Sequence, residues 1–226
     1  MSRHLQRQIE KLKKMILSLG ALVEESVEAA ILAVDRRDVA LAEKTMADDE
    51  KVDQMEIDVE EECLHTLALH QPVAFDLRYV VAVLKINNDL ERIADLAVNI
   101  CKQACFLAER SPVEHVPFDL QRMKTHVRRM LKDSLDALVN NDRALAERVM
   151  GMDDEVDAIH EEMYNRLAQE MQAHPDHISQ LINYQNISRQ LERIADHAVN
   201  IAEDVIYLAS GDIHRHGRYL FQEEAR

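Results

Sequence analysis

Acidic residues recur at helical spacing in several stretches of the sequence. Asp49 and Asp53 lie four residues apart, and Glu91 and Asp95 repeat that spacing further along the chain. In an α-helix, positions four apart share a face, and like charges there cost roughly a few tenths of a kcal/mol. A bound cation would offset that repulsion. Carboxylate ligands with few Cys or His partners favour Mg²⁺, Mn²⁺, Ca²⁺ or iron over structural zinc. One hypothesis for these residues is therefore a metal site in which carboxylates bridge several ions.

The second half of the chain repeats this acidic pattern, with His160 in the position that corresponds to Glu56. Its acidic members are Asp153, Asp157, Glu192 and Asp196. From spacing alone, an ordinary solvated acidic surface is the simpler interpretation, because Arg92 and Arg193 directly follow the two glutamates and would neutralise them. The metal site and the solvated surface both stay open at this point. His160 and His197 are additional candidate ligands, although one helical step turns His197 away from its acidic neighbour.

These residues belong to an internal repeat. The segment 90–100 matches the segment 191–201 at ten of eleven positions, and 38–46 matches 142–150. Self-similarity of this kind indicates duplicated structural units. The segment 110–117 contains two prolines, which disfavour a continuous helix and mark a connector. We therefore expect two homologous domains, 1–112 and 117–226.

The composition favours helices that position the acidic residues. Glycine and proline number only four each, and 47% of the residues are hydrophobic while 4% are aromatic, which is typical of long packed helices. The sequence contains neither a Gly-x-Gly-x-x-Gly nor a Gly-x-x-x-x-Gly-Lys motif, so the common nucleotide-binding loops are absent from it. Asp38 and Asp142 are predicted N-caps. The fold class is all-α: two antiparallel three-helix bundles related by an internal pseudo-twofold axis, with helices at 5–35, 38–70, 75–110, 118–140, 142–172 and 176–210.

The overall charge narrows the classes of partner. With 42 acidic and 27 basic residues the formal net charge is −15, which argues against binding to nucleic acid and fits metal ions better. The longest apolar runs have six residues, far fewer than the roughly 20 that cross a bilayer. Three cysteines and the absence of a signal-like start favour a reducing, cytoplasmic location. We expect at most peripheral contact with a membrane.

The start of the chain is locally basic. Residues 3–14 contain five basic side chains and one acidic side chain, that of Glu10. Such a helix start could contact an anionic membrane surface. An ordinary solvated helix end is the simpler interpretation.

Three motifs resemble a known family. Glu-Arg-Ile-Ala-Asp followed by Ala-Val-Asn-Ile occurs twice, and Asp76-Leu77-Arg78 precedes the first copy. Together they resemble the PhoU family of phosphate-signalling regulators, over nearly the whole chain. Ala94 and Ala195 replace the small glycine usual in that family, a mild change within a helix. The Asp-Leu-Arg element has no counterpart in the second half, so we expect Arg78 to serve partner recognition or a salt bridge specific to one half.

The resemblance implies both a site and a function. It implies two three-helix bundles and clusters of iron or other divalent metal ions held by four motifs: Asp49 with Asp53, Glu91 with Asp95, Asp153 with Asp157, and Glu192 with Asp196. It further implies a regulator without enzymatic activity, which couples a phosphate ABC transporter ATPase to a phosphate-sensor histidine kinase and represses the starvation response when phosphate is plentiful. We also expect a homodimer.

Two alternatives compete with this interpretation. A di-iron oxidase of the ferritin type needs Glu-x-x-His on two helices, whereas Glu62 and His65 form the one example in this sequence. A purely structural helical bundle would leave the acidic residues as solvated surface.

Overall fold

The described part of the chain folds into six long helices. The computed structural model describes residues 3–113, 116 and 119–211, and these ranges contain no β-strand. The helices are α1 (Arg3–Arg36), α2 (Val39–His70), α3 (Ala74–Ala108), α4 (Leu120–Asn140), α5 (Arg143–Ala173) and α6 (Ile178–Ser210). The predicted all-α class is confirmed. Within these ranges no helix is long and apolar enough to cross a bilayer.

Two aspartates cap helix starts as predicted, and a glycine ends the last helix. The carboxylate of Asp38 accepts a hydrogen bond of 3.0 Å from the Leu41 amide, and Asp142 accepts one of 3.0 Å from the Leu145 amide. These bonds satisfy amides that a helix leaves without partners at its first turn. Gly211 ends α6 with a φ of +82°, a left-handed conformation that glycine adopts without steric cost.

Some helix boundaries differ from those predicted. α6 begins at Ile178 rather than 176 because Pro175–His177 forms a short 3-10 turn. α4 begins later than predicted because Asp119 caps it by accepting a hydrogen bond from the amide of Arg122. Residues 114, 115 and 117 of the expected connector lie outside the described ranges, as do residues 212–226 of the expected second domain.

Each half buries one apolar stripe per helix. The first three helices pack against one another, and so do the last three. On α3 the apolar side chains that recur at helical spacing are fully buried: Ile86, Leu90, Ile93, Ala97, Ile100 and Ala104. On α2, Val52, Val59 and Cys63 are buried, whereas Met55 is only partly buried. The expected pair of three-helix bundles is confirmed.

The two halves pack through equivalent helices. α3 lies against α6, and α1 lies against α4. Lys85 pairs with Asp204 at 2.7 Å, and Asp89 pairs with His197 at 2.7 Å. From Lys85 to Asp89 the residue number rises along α3, whereas the paired residue on α6 moves back from 204 to 197. The two helices therefore run antiparallel. Because α1 and α3 each pack against their repeat counterparts, the interface has the pseudo-twofold arrangement that the sequence repeat predicts.

Candidate metal centres

The first acidic cluster lies where α2 faces α3. Its members are Asp49 and Asp53 on α2, and Glu91 and Asp95 on α3. Burial, as the largest cause, and the neighbouring carboxylates of Asp53, Asp95 and Glu91 together raise the pKa of Asp49 to about 6. The interaction of charges on two different helices shows that the four carboxyl groups converge.

The Glu91 side chain is half-buried within this cluster. Burial raises its pKa, and the charge of Asp95 adds to the increase. Arg92 lies 3.3 Å from the Glu91 carboxylate and 3.5 Å from that of Asp95. One cation thus already offsets part of the repulsion in the first cluster, as the solvated-surface interpretation expects.

The second acidic cluster repeats the arrangement between α5 and α6. Burial, as the largest cause, and the carboxylates of Asp157 and Asp196 together raise the pKa of Asp153 to about 6. Burial also raises the pKa of Glu192, which is half-buried as Glu91 is, and Asp196 adds to the increase. Among the described residues, Arg193 forms no ion pair of the kind that Arg92 makes. The charges of Arg189 on Glu192 and of Arg193 on Asp196 nevertheless oppose the increase in pKa, so the second cluster is also partly neutralised.

One oxygen atom in the second cluster lacks a partner. Asp153 Oδ1 is buried and has no hydrogen-bond partner in the described part of the chain. A buried acceptor without a donor is costly, and a cation would relieve that cost. The donor set fits a hard divalent ion, because it consists of carboxylate oxygens.

The clusters are not already arranged as metal sites. Over residues 3–113, 116 and 119–211, no group of three or more His, Cys, Asp or Glu side chains has the geometry to hold an ion. Binding would therefore require rotation of side chains. Asp53, Asp95, Asp157 and Asp196 are exposed, and their short side chains can change rotamer at the surface.

His160 makes a contact that the sequence did not predict. Its Nδ1 lies 3.0 Å from Ser188 Oγ on α6, and burial lowers its pKa, which favours the neutral ring. In the first half, Asn87 donates a hydrogen bond of 3.1 Å to the Glu56 carboxylate. The corresponding positions of the two halves thus form the same tie between second and third helices with different residues.

His197 is directed towards the other half of the molecule. Its Nδ1 lies 2.7 Å from Asp89 Oδ1, which also accepts a hydrogen bond of 3.1 Å from Asn200. These residues line a cleft of about 900 Å³ that Asp153 and Asp196 also line. No periodicity within one helix could have predicted this pair, because it depends on how the halves dock.

Arg78 lies against the end of α6. Its guanidinium carbon is 3.6 Å from where a Cβ on Gly211 would stand, and its Nε is buried without a hydrogen-bond partner among the described residues. Its repeat counterpart Ser179 instead donates a hydrogen bond to Gln180. The predicted asymmetry is present, although Arg78 forms no salt bridge within the described ranges.

Comparisons with known proteins agree with the duplicated architecture. The PhoU domain matches residues 16–104 and again 120–205. The chain is 36% identical over 197 residues to the phosphate-specific transport system accessory protein PhoU homolog of Caulobacter vibrioides, covering 87% of this chain and 86% of that protein. The homolog of Aquifex aeolicus is 35% identical over 211 residues, covering 93% and 95%.

Two crystal structures share the fold. PhoU from Pseudomonas aeruginosa superposes with a TM-score of 0.89 at 35% identity, covering 92% of this chain and 99% of that one. The phosphate transport system regulatory protein PhoU from Streptococcus pneumoniae gives a TM-score of 0.83 at 28% identity, covering 94% and 100%. Similarity in sequence and in structure thus extends over both halves, and the chain belongs to the PhoU family.

Proposed function

We propose that this protein is an accessory regulator of phosphate-specific transport. The observation that carries the proposal is its identity of about 35% to accessory proteins of that transport system over nearly the full chain. Fold alone would not support a function, but the sequence similarity covers most of this chain and most of each relative.

The finer proposal concerns partners. The protein couples a phosphate ABC transporter ATPase to a phosphate-sensor histidine kinase, represses the starvation response when phosphate is plentiful, and acts as a homodimer without enzymatic activity of its own. A rigid helical body with two similar but non-identical halves supports such a role, because it offers two surfaces of related shape. Arg78 and its counterpart Ser179 are one place where those surfaces differ.

The two acidic clusters are proposed to bind iron or other divalent cations, with Mn²⁺, Mg²⁺ and Ca²⁺ as candidates. Asp49, Asp53, Glu91 and Asp95 would hold the ions of the first cluster. Asp153, Asp157, Glu192 and Asp196 would hold those of the second. A bound cation would supply positive charge between two helices and so tie them together. The convergence of the carboxyl groups and the unpartnered Asp153 oxygen support this proposal.

The oxidase alternative receives less support. The carboxylate of Glu62 is paired with Lys11 on α1, and His65 is exposed. Both residues lie at least nine positions beyond Asp53 on α2, which places them roughly 13 Å or more further along the helix axis than the first acidic cluster. An oxygen-consumption assay with added ferrous iron would test this alternative directly.

Affinity purification of the full chain from cells grown at high and at low phosphate tests the proposed function. We expect a transporter ATPase or a histidine kinase to co-purify, and we expect deletion of the gene to raise expression of a starvation-responsive reporter at high phosphate. Absence of both partners under both conditions, with an unchanged reporter, would contradict the proposal.

A further inference from the structure

The end of the first bundle combines exposed apolar side chains with basic ones. Lys11 on α1 contacts Glu62 on α2, and Tyr79 on α3 lies near both Glu10 and Cys63. These contacts show that the start of α1, the end of α2 and the start of α3 lie at the same height along the bundle axis. Because α1 and α3 begin where α2 ends, residues 3–7, 69–73 and 75–77 occupy the same end of the bundle, which we call the basic tip.

The basic tip exposes more apolar surface than a solvated helix end requires. Val73 is 74% exposed and Leu69 is 66% exposed, and Phe75 and Leu77 are also exposed. Val73 follows Pro72 in the connection between α2 and α3. Clustered exposed apolar residues with a polar rim mark interaction sites.

Basic side chains lie along one face of α1, beginning at this tip. Arg3, Arg7, Lys11 and Lys14 recur at helical spacing and are exposed. Of these four side chains, only Lys11 forms an ion pair within the described part of the chain, so no carboxylate compensates the charges of the other three by direct contact. The acidic side chains at this end include Glu10, Glu61, Glu62 and Asp76, of which Glu62 is neutralised by Lys11.

The corresponding helix of the second half differs in this respect. On α4, Arg122 pairs with Glu155 at 3.0 Å, and Arg128 pairs with Glu28 at 2.7 Å. Lys124 pairs with Asp35, and Arg129 pairs with Asp133. Basic residues of α4 thus form ion pairs with other described residues, whereas most basic residues at the start of α1 form none within the described structure.

We propose that the basic tip is a docking surface for an anionic lipid bilayer. Apolar side chains that enter the interface, combined with unpaired Lys or Arg beside them, are the chemistry that binds such a surface. The charge of the whole molecule is −15, whereas residues 3–14 contain five Lys or Arg side chains and one acidic side chain. An anionic bilayer would therefore repel most of the surface and attract this segment. Attachment by the tip would hold the acidic clusters, which lie further along α2 and α3, away from the membrane.

The test is flotation of the full chain with lipid vesicles. We expect binding to vesicles with about 30% phosphatidylglycerol at about 0.05 M salt, little binding to neutral phosphatidylcholine vesicles, and loss of binding at about 0.5 M salt. Arg3→Ala with Arg7→Ala should lower the partition coefficient at least about tenfold. Val73→Ser with Phe75→Ser should also weaken binding, and circular dichroism should confirm that each variant is folded.

A matched control removes two positive charges elsewhere. Arg129→Ala with Lys132→Ala alters exposed residues of α4 and should leave vesicle binding unchanged. Equal losses in the tip variant and the control would overturn the proposal, as would failure of the wild-type chain to float or equal flotation on neutral vesicles. Retention on immobilised polyglutamate without vesicle binding would assign the tip to an acidic protein partner and would also overturn it.

Discussion

At the scale of the residue, the carboxyl group of Asp153 is the most informative. Its pKa is raised from 3.8 to about 6, with burial as the largest cause. A group whose pKa is higher in the folded state favours folding when protonated. That contribution is complete below pH 3.8 and is lost as the pH rises through about 6. Without metal, the charged Asp153 therefore weakens the fold at neutral pH.

Asp153→Asn should accordingly stabilise the metal-free protein at pH 7.5. We expect a gain of about 1 kcal/mol in the free energy of unfolding, because water partly screens this half-exposed carboxylate. The gain should vanish near pH 4, where the wild-type carboxyl group is already largely protonated. Urea unfolding in chelator at both pH values measures the difference. A variant destabilised equally at both values would show that the carboxylate makes a stabilising contact instead.

Arg78 supports a second prediction at this scale. Its guanidinium lies over the carboxyl end of α6, where a cation interacts favourably with the helix dipole. Arg78→Ala should therefore lower stability by only about 0.3–1 kcal/mol and leave helicity and metal content near wild type. If Arg78 also contacts a partner, a starvation-responsive reporter should be derepressed. Global unfolding of the variant would show that Arg78 is primarily structural.

At the scale of the element, the antiparallel contact between α3 and α6 is asymmetric. Asp89 accepts hydrogen bonds from both His197 and Asn200. The repeat counterpart of Asp89 is Gln190, and the buried Oε1 of Gln190 has no hydrogen-bond partner in the described ranges. The same helix pair therefore carries a hydrogen-bonded carboxylate on one side of the pseudo-twofold axis and a neutral amide on the other.

This asymmetry predicts different costs for equivalent substitutions. Asp89→Ala should lower the free energy of unfolding by about 1.5–3 kcal/mol, since it removes a charged acceptor from two donors. Gln190→Ala should change it by less than about 0.5 kcal/mol. Chemical denaturation of both variants at pH 6 and pH 8 measures the comparison. Equal losses would mean that the two sides of the interface are equivalent.

Helix boundaries and buried faces could largely be predicted from the sequence. Asp38 and Asp142 predict helix starts because their side chains satisfy free amides locally, and the apolar stripe of α3 predicts its buried face because the helical period fixes which side chains share a side. The pairing of His197 with Asp89 could not be predicted. It depends on how two helices from different halves dock, and helical periodicity carries no information about that.

At the scale of the whole molecule, duplication explains most of what the sequence predicts. The repeat of segment 90–100 at 191–201 implies equivalent bundles and equivalent acidic clusters, and the structure has both features. What the repeat cannot predict is where the halves diverge. The basic tip, the Arg78 contact and the ion pairs beside the cleft each occur on one side of the pseudo-twofold axis.

We propose that the acidic clusters are cation sites rather than solvated surface. Neutralising two carboxylates of a cluster should then relieve charge repulsion in the metal-free protein, and it should weaken cation binding when metal is present. A ligand at 100 times its dissociation constant adds about 2.7 kcal/mol to the free energy of unfolding. This exceeds the roughly few tenths of a kcal/mol gained by relieving each pair of like charges. The control, Glu24→Gln with Glu61→Gln, removes the same charge from exposed positions outside the clusters.

The most direct test is the melting temperature of Glu192→Gln with Asp196→Asn, measured in chelator and in added Mn²⁺ or Fe²⁺. We predict that this double variant melts at or above the wild-type temperature in chelator and below it with metal, that it loses about half of the bound metal, and that the control keeps its rank in both buffers. The first-cluster pair Glu91→Gln with Asp95→Asn should behave alike. If wild type and variant keep the same rank in both buffers, the clusters are surface charge and the claim is wrong.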